Sequence, residues 1–164
     1  FSSSFAPSIR IGYLALPAPL LERYEQVGRK FSCTVSRIDQ RVLQLFMERG
    51  YFERHLNRMR AVYKSRHDTL LSEVRQMKGI SRILGERSGV HILLQMEDTE
   101  SEQELVLLAA RSGVRVYPLS EYRIDDRIPS PTILLGYATM TENEIRQAVK
   151  ILSDAWGRKK EDTV

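Results

Sequence analysis

Apolar residues in this chain recur at three- and four-residue steps over some stretches and at every second residue over others, and the two periods separate helices from strands. The longest helical stretch runs from about Tyr51 to Lys78. Phe52, Leu56, Met59, Tyr63, Leu70, Val74 and Met77 share one stripe there, opposite a densely charged face. At 1.5 Å per residue it predicts roughly 40 Å of helix, closed by Gly79. Ahead of it, Ile9–Leu16 reads as an apolar strand stopped by Pro17 and Pro19. Ala18–Lys30 reads as a helix that tolerates Pro19 in its first turn. Ser36–Arg49 reads as a second helix, with Ile38, Val42, Leu45 and Phe46 on one face and Gly50 as its stop.

After Gly79 the period changes. Arg82–Leu84 and Val90–Met96 predict strands around a Gly85–Gly89 turn, with Val90, Ile92, Leu94 and Met96 on one face. Thr99 with Glu102, and Ser101 with Glu104, both match a capping box, so a helix is expected from there to Gly113. Val114–Tyr117 and Thr132–Ala138 predict two more strands, with Pro118–Pro131 an irregular loop between them. A last helix is expected from Thr141, again with a capping pattern to Glu144, burying Ile145, Ala148, Val149, Leu152 and Trp156. Short strands with helices on one side give an α+β architecture.

The 164 residues suffice for one ordinary core, or one core and an appended piece. A net charge of +4 permits nucleic-acid binding, but the arginines of residues 37–87 are interleaved with Glu48, Glu53, Asp68 and Glu73. That pattern suits a solvated helix face better than a stripe tracking phosphates. No apolar run is long enough for a membrane span, so no membrane partner is expected. The single cysteine, Cys33, excludes an intrachain disulfide framework and fits a reducing compartment, so a cytoplasmic location is expected. A chain that opens on Phe1 and runs at once into an apolar strand reads as an excised piece of a longer protein.

Read by spacing alone, the chain carries little chemistry. It has no phosphate-cradling glycine motif and no metal-spaced cluster; His55, His67 and His91 are isolated. Asp125–Asp126 suit turn formation better than acid–base work. Arg10 stands where a serine-rich loop meets an apolar segment, a setting suited to a phosphate dianion, although an ordinary exposed arginine fits the spacing as well. Arg123 lies in the long loop and has the fork geometry to grip a carboxylate, with the same bland alternative.

The segment FSSSFAPSIRIGYLALP closely resembles the cofactor-lysine segment of fold-type-I pyridoxal-phosphate aminotransferases, of the form F-S-K-x-x-A-P-S-x-R-x-G-Y. ERHLNRMRAVYKSRHDTLL resembles the long helix that precedes the small domain of that fold. The A-P-S-I-R and R-H-L-N-R-M-R forms, with YPLSEY and TILLGYATMTENEIRQAV, look most like the MocR/GabR-type branch of GntR-family transcriptional regulators. The resemblance implies an aminotransferase C-terminal small domain at residues 51–164, a long helix plus a small, mainly antiparallel sheet. Residues 1–50 would be a remnant of the large cofactor-binding domain.

It also implies roles. Arg10 matches the phosphate-binding arginine, Ser2 the serine before the lysine, and Arg123 the arginine that holds the effector or substrate carboxylate. Many aminotransferases carry a further arginine near Leu134, which this chain lacks. Ser3 occupies the lysine position. A lysine amine condenses with the cofactor aldehyde and moves protons; a serine hydroxyl does neither. The expectation is a piece without catalytic activity of its own, which binds no pyridoxal 5'-phosphate although its parent does. It would sense an amino-acid-like effector and form homo-oligomers, with DNA bound only by a separate N-terminal domain. The alternative is a fragment of an enzyme moving amino groups between amino and keto acids.

Overall fold

The structure, a computed structural model, describes residues 1, 7–28, 30–86, 89–97, 101–122 and 130–157. The chain divides into two compact units, Phe1–Arg60 and Ala61–Val164. The division falls inside the long helix, ten residues beyond the boundary expected from sequence.

The first unit holds a 3-10 turn, Pro7–Ile9, then helices α1 (Ala18–Gly28) and α2 (Arg37–Glu48), and the start of α3 (Tyr51–Val74). Ser36 caps α2 by accepting from the Asp39 amide. Leu43 and Ile11 are its buried apolar residues, and the Phe1 ring lies against Tyr13 and Phe52. The strand expected over Ile9–Leu16 is absent: residues 10–17 have no regular secondary structure. A strand needs a neighbour to satisfy its backbone groups, and the first unit offers none among the described residues. Tyr13 and Leu14 are accordingly exposed, and α1 buries no residue at all.

The second unit has a real core. Strands β1 (Ile80–Leu84), β2 (His91–Met96), β3 (Tyr117–Pro118) and β4 (Thr132–Gly136) form one antiparallel sheet in the order β1-β2-β4-β3. Helix α4 (Glu102–Arg111) carries the chain from β2 to the far edge, and α5 (Glu142–Gly157) follows β4. Ile92, Leu94 and Met96 of β2, with Ile133 and Leu135 of β4, point to one face. They pack there with Leu70, Leu71 and Val74 of α3, Leu105 and Ala109 of α4, and Ile145, Val149 and Leu152 of α5. Each of these side chains larger than Ala109 contributes about 1.5–3 kcal/mol relative to exposure. The architecture is α+β with helices on one side of the sheet, as expected.

The helix ends are built as their residues dictate. At the start of α5 the Glu144 amide donates to the Thr141 hydroxyl, and the Glu144 carboxylate accepts from both the Thr141 amide and hydroxyl. At the end of α4, Gly113 takes φ +82°, and the Val114 amide reaches back to the Ala109 carbonyl, which closes the helix. This turn consumes the first residues of the strand expected over Val114–Tyr117, leaving only Tyr117–Pro118 paired to β4.

Candidate functional site

In the first unit, the 3-10 turn Pro7–Ile9 ends on Arg10, whose φ is +47°. It is the one non-glycine residue in the left-handed region among those described. That conformation costs an arginine on the order of 1–3 kcal/mol and persists where neighbouring structure enforces it. Ile11 is buried immediately after the turn, and its carbonyl accepts from the Phe1 amine at 2.9 Å. The Arg10 side chain is exposed, and none of the described residues bonds its guanidinium. Its five N–H donors are available for a planar or tetrahedral oxyanion. Ser2 and Ser3, the other residues expected at a cofactor phosphate, lie outside the described residues.

Arg123 also lies outside the described residues; Arg10 belongs to the first unit and Arg123 to the second. What precedes Arg123 is well defined. The 3-10 turn Leu119–Tyr122 follows β3, the Tyr117 and Tyr122 rings meet edge to face at 6.4 Å, and the Arg115 guanidinium lies 5.1 Å over Tyr117. With Val106, Ala110 and Glu121 these side chains line a shallow groove of about 620 Å³.

Leu134 lies on the sheet face turned away from the helices. In register across the four strands, Leu84, Leu93, Leu134 and Tyr117 form one half-buried apolar row. No cation stands in that row.

The most unusual side chain is Glu102, a residue 6% exposed whose carboxylate reaches into the fold; Thr99, its expected capping-box partner, lies outside the described residues. It accepts from the Thr132 amide at 2.8 Å and the Ser120 amide at 3.0 Å. Both donors are distant in sequence, so no local signal could have found this.

Other titratable groups have structural partners. The Tyr137 hydroxyl donates to the Gly89 carbonyl at 2.9 Å, and burial, with the Asp68 charge second, raises its pKa. Glu142 is held below the usual carboxylate value by its own backbone amide and then by the Ser65 hydroxyl. Arg66 donates to the Ala138 carbonyl, and the His67 ring lies 5.7 Å from Tyr137. No group of three or more His, Cys, Asp or Glu residues able to hold a metal occurs among the described residues. Nor is any helix there long and apolar enough to cross a membrane.

The pyridoxal-phosphate fit divides in two. Arg10, presented as described, suits the phosphate end of such a cofactor. No amine is present at position 3 to receive its aldehyde.

The family model for aminotransferase class I and II matches residues 2–152. Over 157 residues the chain is 38% identical to an uncharacterized HTH-type transcriptional regulator, YdeL, of Bacillus subtilis, covering 95% of this chain and 34% of that protein. It is 26% identical to the probable rhizopine catabolism regulatory protein MocR of Rhizobium meliloti, covering 95% and 32%. The chain thus spans about a third of the length of these curated relatives. Among solved structures, the kynurenine aminotransferase of Pyrococcus horikoshii superposes with a TM-score of 0.83 at 22% identity, covering 97% of this chain and 39% of that one.

Proposed function

The chain belongs to the aminotransferase class I and II family, and on that premise we propose that it is the effector-sensing and dimerising piece of an aminotransferase-like transcriptional regulator, unable to transaminate alone. In the intact parent, pyridoxal 5'-phosphate and an amino-acid-like effector would bind, and a separate N-terminal domain would bind DNA. The location is cytoplasmic. The observation that carries the reading is Arg10, held in a left-handed conformation with its donors unclaimed by any of the described residues, seven residues after a serine that stands where the family has lysine.

Each proposed residue has a limited task. Arg10 holds the cofactor phosphate, Ser2 supplies a second donor, and Arg123 receives the effector carboxylate. Ser3 offers a hydroxyl that cannot condense with an aldehyde or carry the proton between carbons. The cofactor itself would supply a carbonyl and an electron-withdrawing ring. An effector acts in such a protein only through its different affinity for two conformations. Residues 1–50 serve as large-domain remnant and residues 51–164 as the connecting helix and small domain.

The test is a titration of the chain with pyridoxal 5'-phosphate. We expect no imine absorbance band that survives gel filtration, and a retained band refutes the reading. The enzyme-fragment alternative has one observation in its favour, the fold shared with the kynurenine aminotransferase. Greater identity to the regulator, and serine at position 3, favour the sensor.

A further inference from the structure

We infer that the second unit carries a binding cavity for a small molecule with an apolar body and a single carboxylate, with Arg115 at its charged end. The inference goes beyond the proposed function and uses none of the residues given a role there.

The cavity lies where the β3–β4 ladder stops. Tyr117 pairs with Leu134 and Pro118 with Ile133. Continued in register, the ladder would set Val116 against Leu135, Arg115 against Gly136 and Val114 against Tyr137. Those rungs do not form: residues 114–116 have no regular secondary structure, and no backbone hydrogen bond joins them to residues 135–137. The chain is there leaving the cap of α4, where the Val114 amide is given to the Ala109 carbonyl. All six residues of the missing rungs line a cavity of about 280 Å³. Its inner wall is apolar and buried, formed by Leu70 of α3 with Ile145, Val149 and Leu152 of α5. Gly113, Arg115 and Gly136 line it too and are exposed, so the space reaches from the core to the surface.

Size and lining decide what fits. Apolar cavities of about 150 Å³ stay dry and take up molecules such as benzene, because water finds too few partners in them. At about 30 Å³ for each water-sized group, this one holds roughly nine non-hydrogen atoms. The one side-chain hydroxyl of the lining, on Tyr137, is already given to the Gly89 carbonyl. Arg115 is the only charged residue among the described lining residues. Its guanidinium lies 5.1 Å over the Tyr117 ring, and none of the described residues accepts a hydrogen bond from it, Glu121 of the adjacent groove included. One such guanidinium at the exposed end of an apolar space complements one carboxylate, which it can hold by two parallel bonds. A phosphate dianion would keep one charge uncompensated, and an ammonium group would meet a like charge.

The test titrates the 164-residue chain with octanoate, octan-1-ol and octylamine by calorimetry and locates the binding by methyl NMR. We expect one octanoate per chain and shifted methyl signals at Leu70, Val149 and Leu152. Its affinity should exceed that of the alcohol and the amine by about tenfold or more, the worth of one charge-assisted pair. Ala148→Leu adds bulk to the cavity lining and should abolish the binding. Arg115→Gln should bring octanoate down to the level of the alcohol. Its position is exposed, so this variant carries the test if Ala148→Leu fails to fold. Unshifted methyls at millimolar octanoate overturn the inference, as does binding that Ala148→Leu leaves unchanged. Equal affinity for acid, alcohol and amine, or indifference to Arg115→Gln, overturns it as well. The proposed function stands or falls by its own cofactor titration.

Discussion

Leu94→Ala should destabilise the second unit by roughly 3 kcal/mol while leaving the first unit's structure intact. Leu94 is fully buried at the centre of the sheet, paired with Ile83 on one side and Ile133 on the other. Both neighbours belong to β-strands whose backbones are fixed by the ladder, so they cannot move in to fill the space. Truncation therefore loses the transfer energy of the deleted carbons and leaves most of a cavity, which places the cost in the middle of the roughly 2–5 kcal/mol range for buried leucines. Trp156, the chain's only tryptophan, makes the measurement local to this unit. Its indole N–H donates to the Leu105 carbonyl at 3.0 Å, so its fluorescence reports the packing of α5 on α4. With a slope of about 1.5 kcal/mol per molar urea, the midpoint should fall by about 2 M. Leu21→Ala on α1, at a position 44% exposed, is the matched control and should shift the same signal by less than about 0.5 kcal/mol. A cost below about 1 kcal/mol for Leu94→Ala, or equal costs for both variants, would refute the burial argument.

Thr141→Ala removes the hydroxyl that caps α5 and should cost about 1 kcal/mol in the same urea assay at neutral pH. Glu144 and Glu142 are both held below the ordinary value of 4.5, Glu144 chiefly by the Thr141 amide and then its hydroxyl. Their contribution is therefore complete above that value and is lost as the pH falls through their lowered values; a urea midpoint that stays flat from neutral to strongly acid pH would contradict this. Gly113→Ala meets no atom within 4 Å, so its expected loss of about 1–2 kcal/mol is purely the left-handed backbone. Gly136→Ala, also without a close neighbour but without positive φ, should by comparison be near neutral. The exposed stripe Leu20, Leu21, Tyr24 and Val27 on α1 should drive self-association; sedimentation as a pure monomer at high micromolar concentration would count against it.

Legibility in the sequence followed how local each determinant is. Helix α5 could be read to within a residue because Thr141, Glu144 and the spacing of Ile145, Val149 and Leu152 all act within the helix. The β1–β2 hairpin was visible in the alternation of Ile92, Leu94 and Met96, but Val90, expected on the same face, is exposed and lies outside β2, and β1 starts two residues before the expected Arg82. The segment Ile9–Leu16 carries the same apolar signal and forms no strand, since alternation describes what a strand would bury and supplies no partner for its amides. At the candidate site, the identity of Arg10 was legible and its left-handed φ was not, because no glycine, asparagine or aspartate stands at that position to signal it. Glu102 was the clearest miss. Its two partners lie 18 and 30 residues away, and nothing in a window around residue 102 distinguishes an inward carboxylate from a helix cap.

Position 3 and Arg10 are tested together by borohydride trapping in the intact parent. With Ser3 in place, reduction in the presence of pyridoxal 5'-phosphate should fix no cofactor to the segment containing residues 1–10. Ser3→Lys should trap it at position 3, located by peptide mass, and adding Arg10→Ala should abolish that trapping at micromolar cofactor. Trapping on the unaltered segment, or trapping on the introduced lysine that is indifferent to Arg10, would contradict the assignment of this segment to a phosphorylated cofactor.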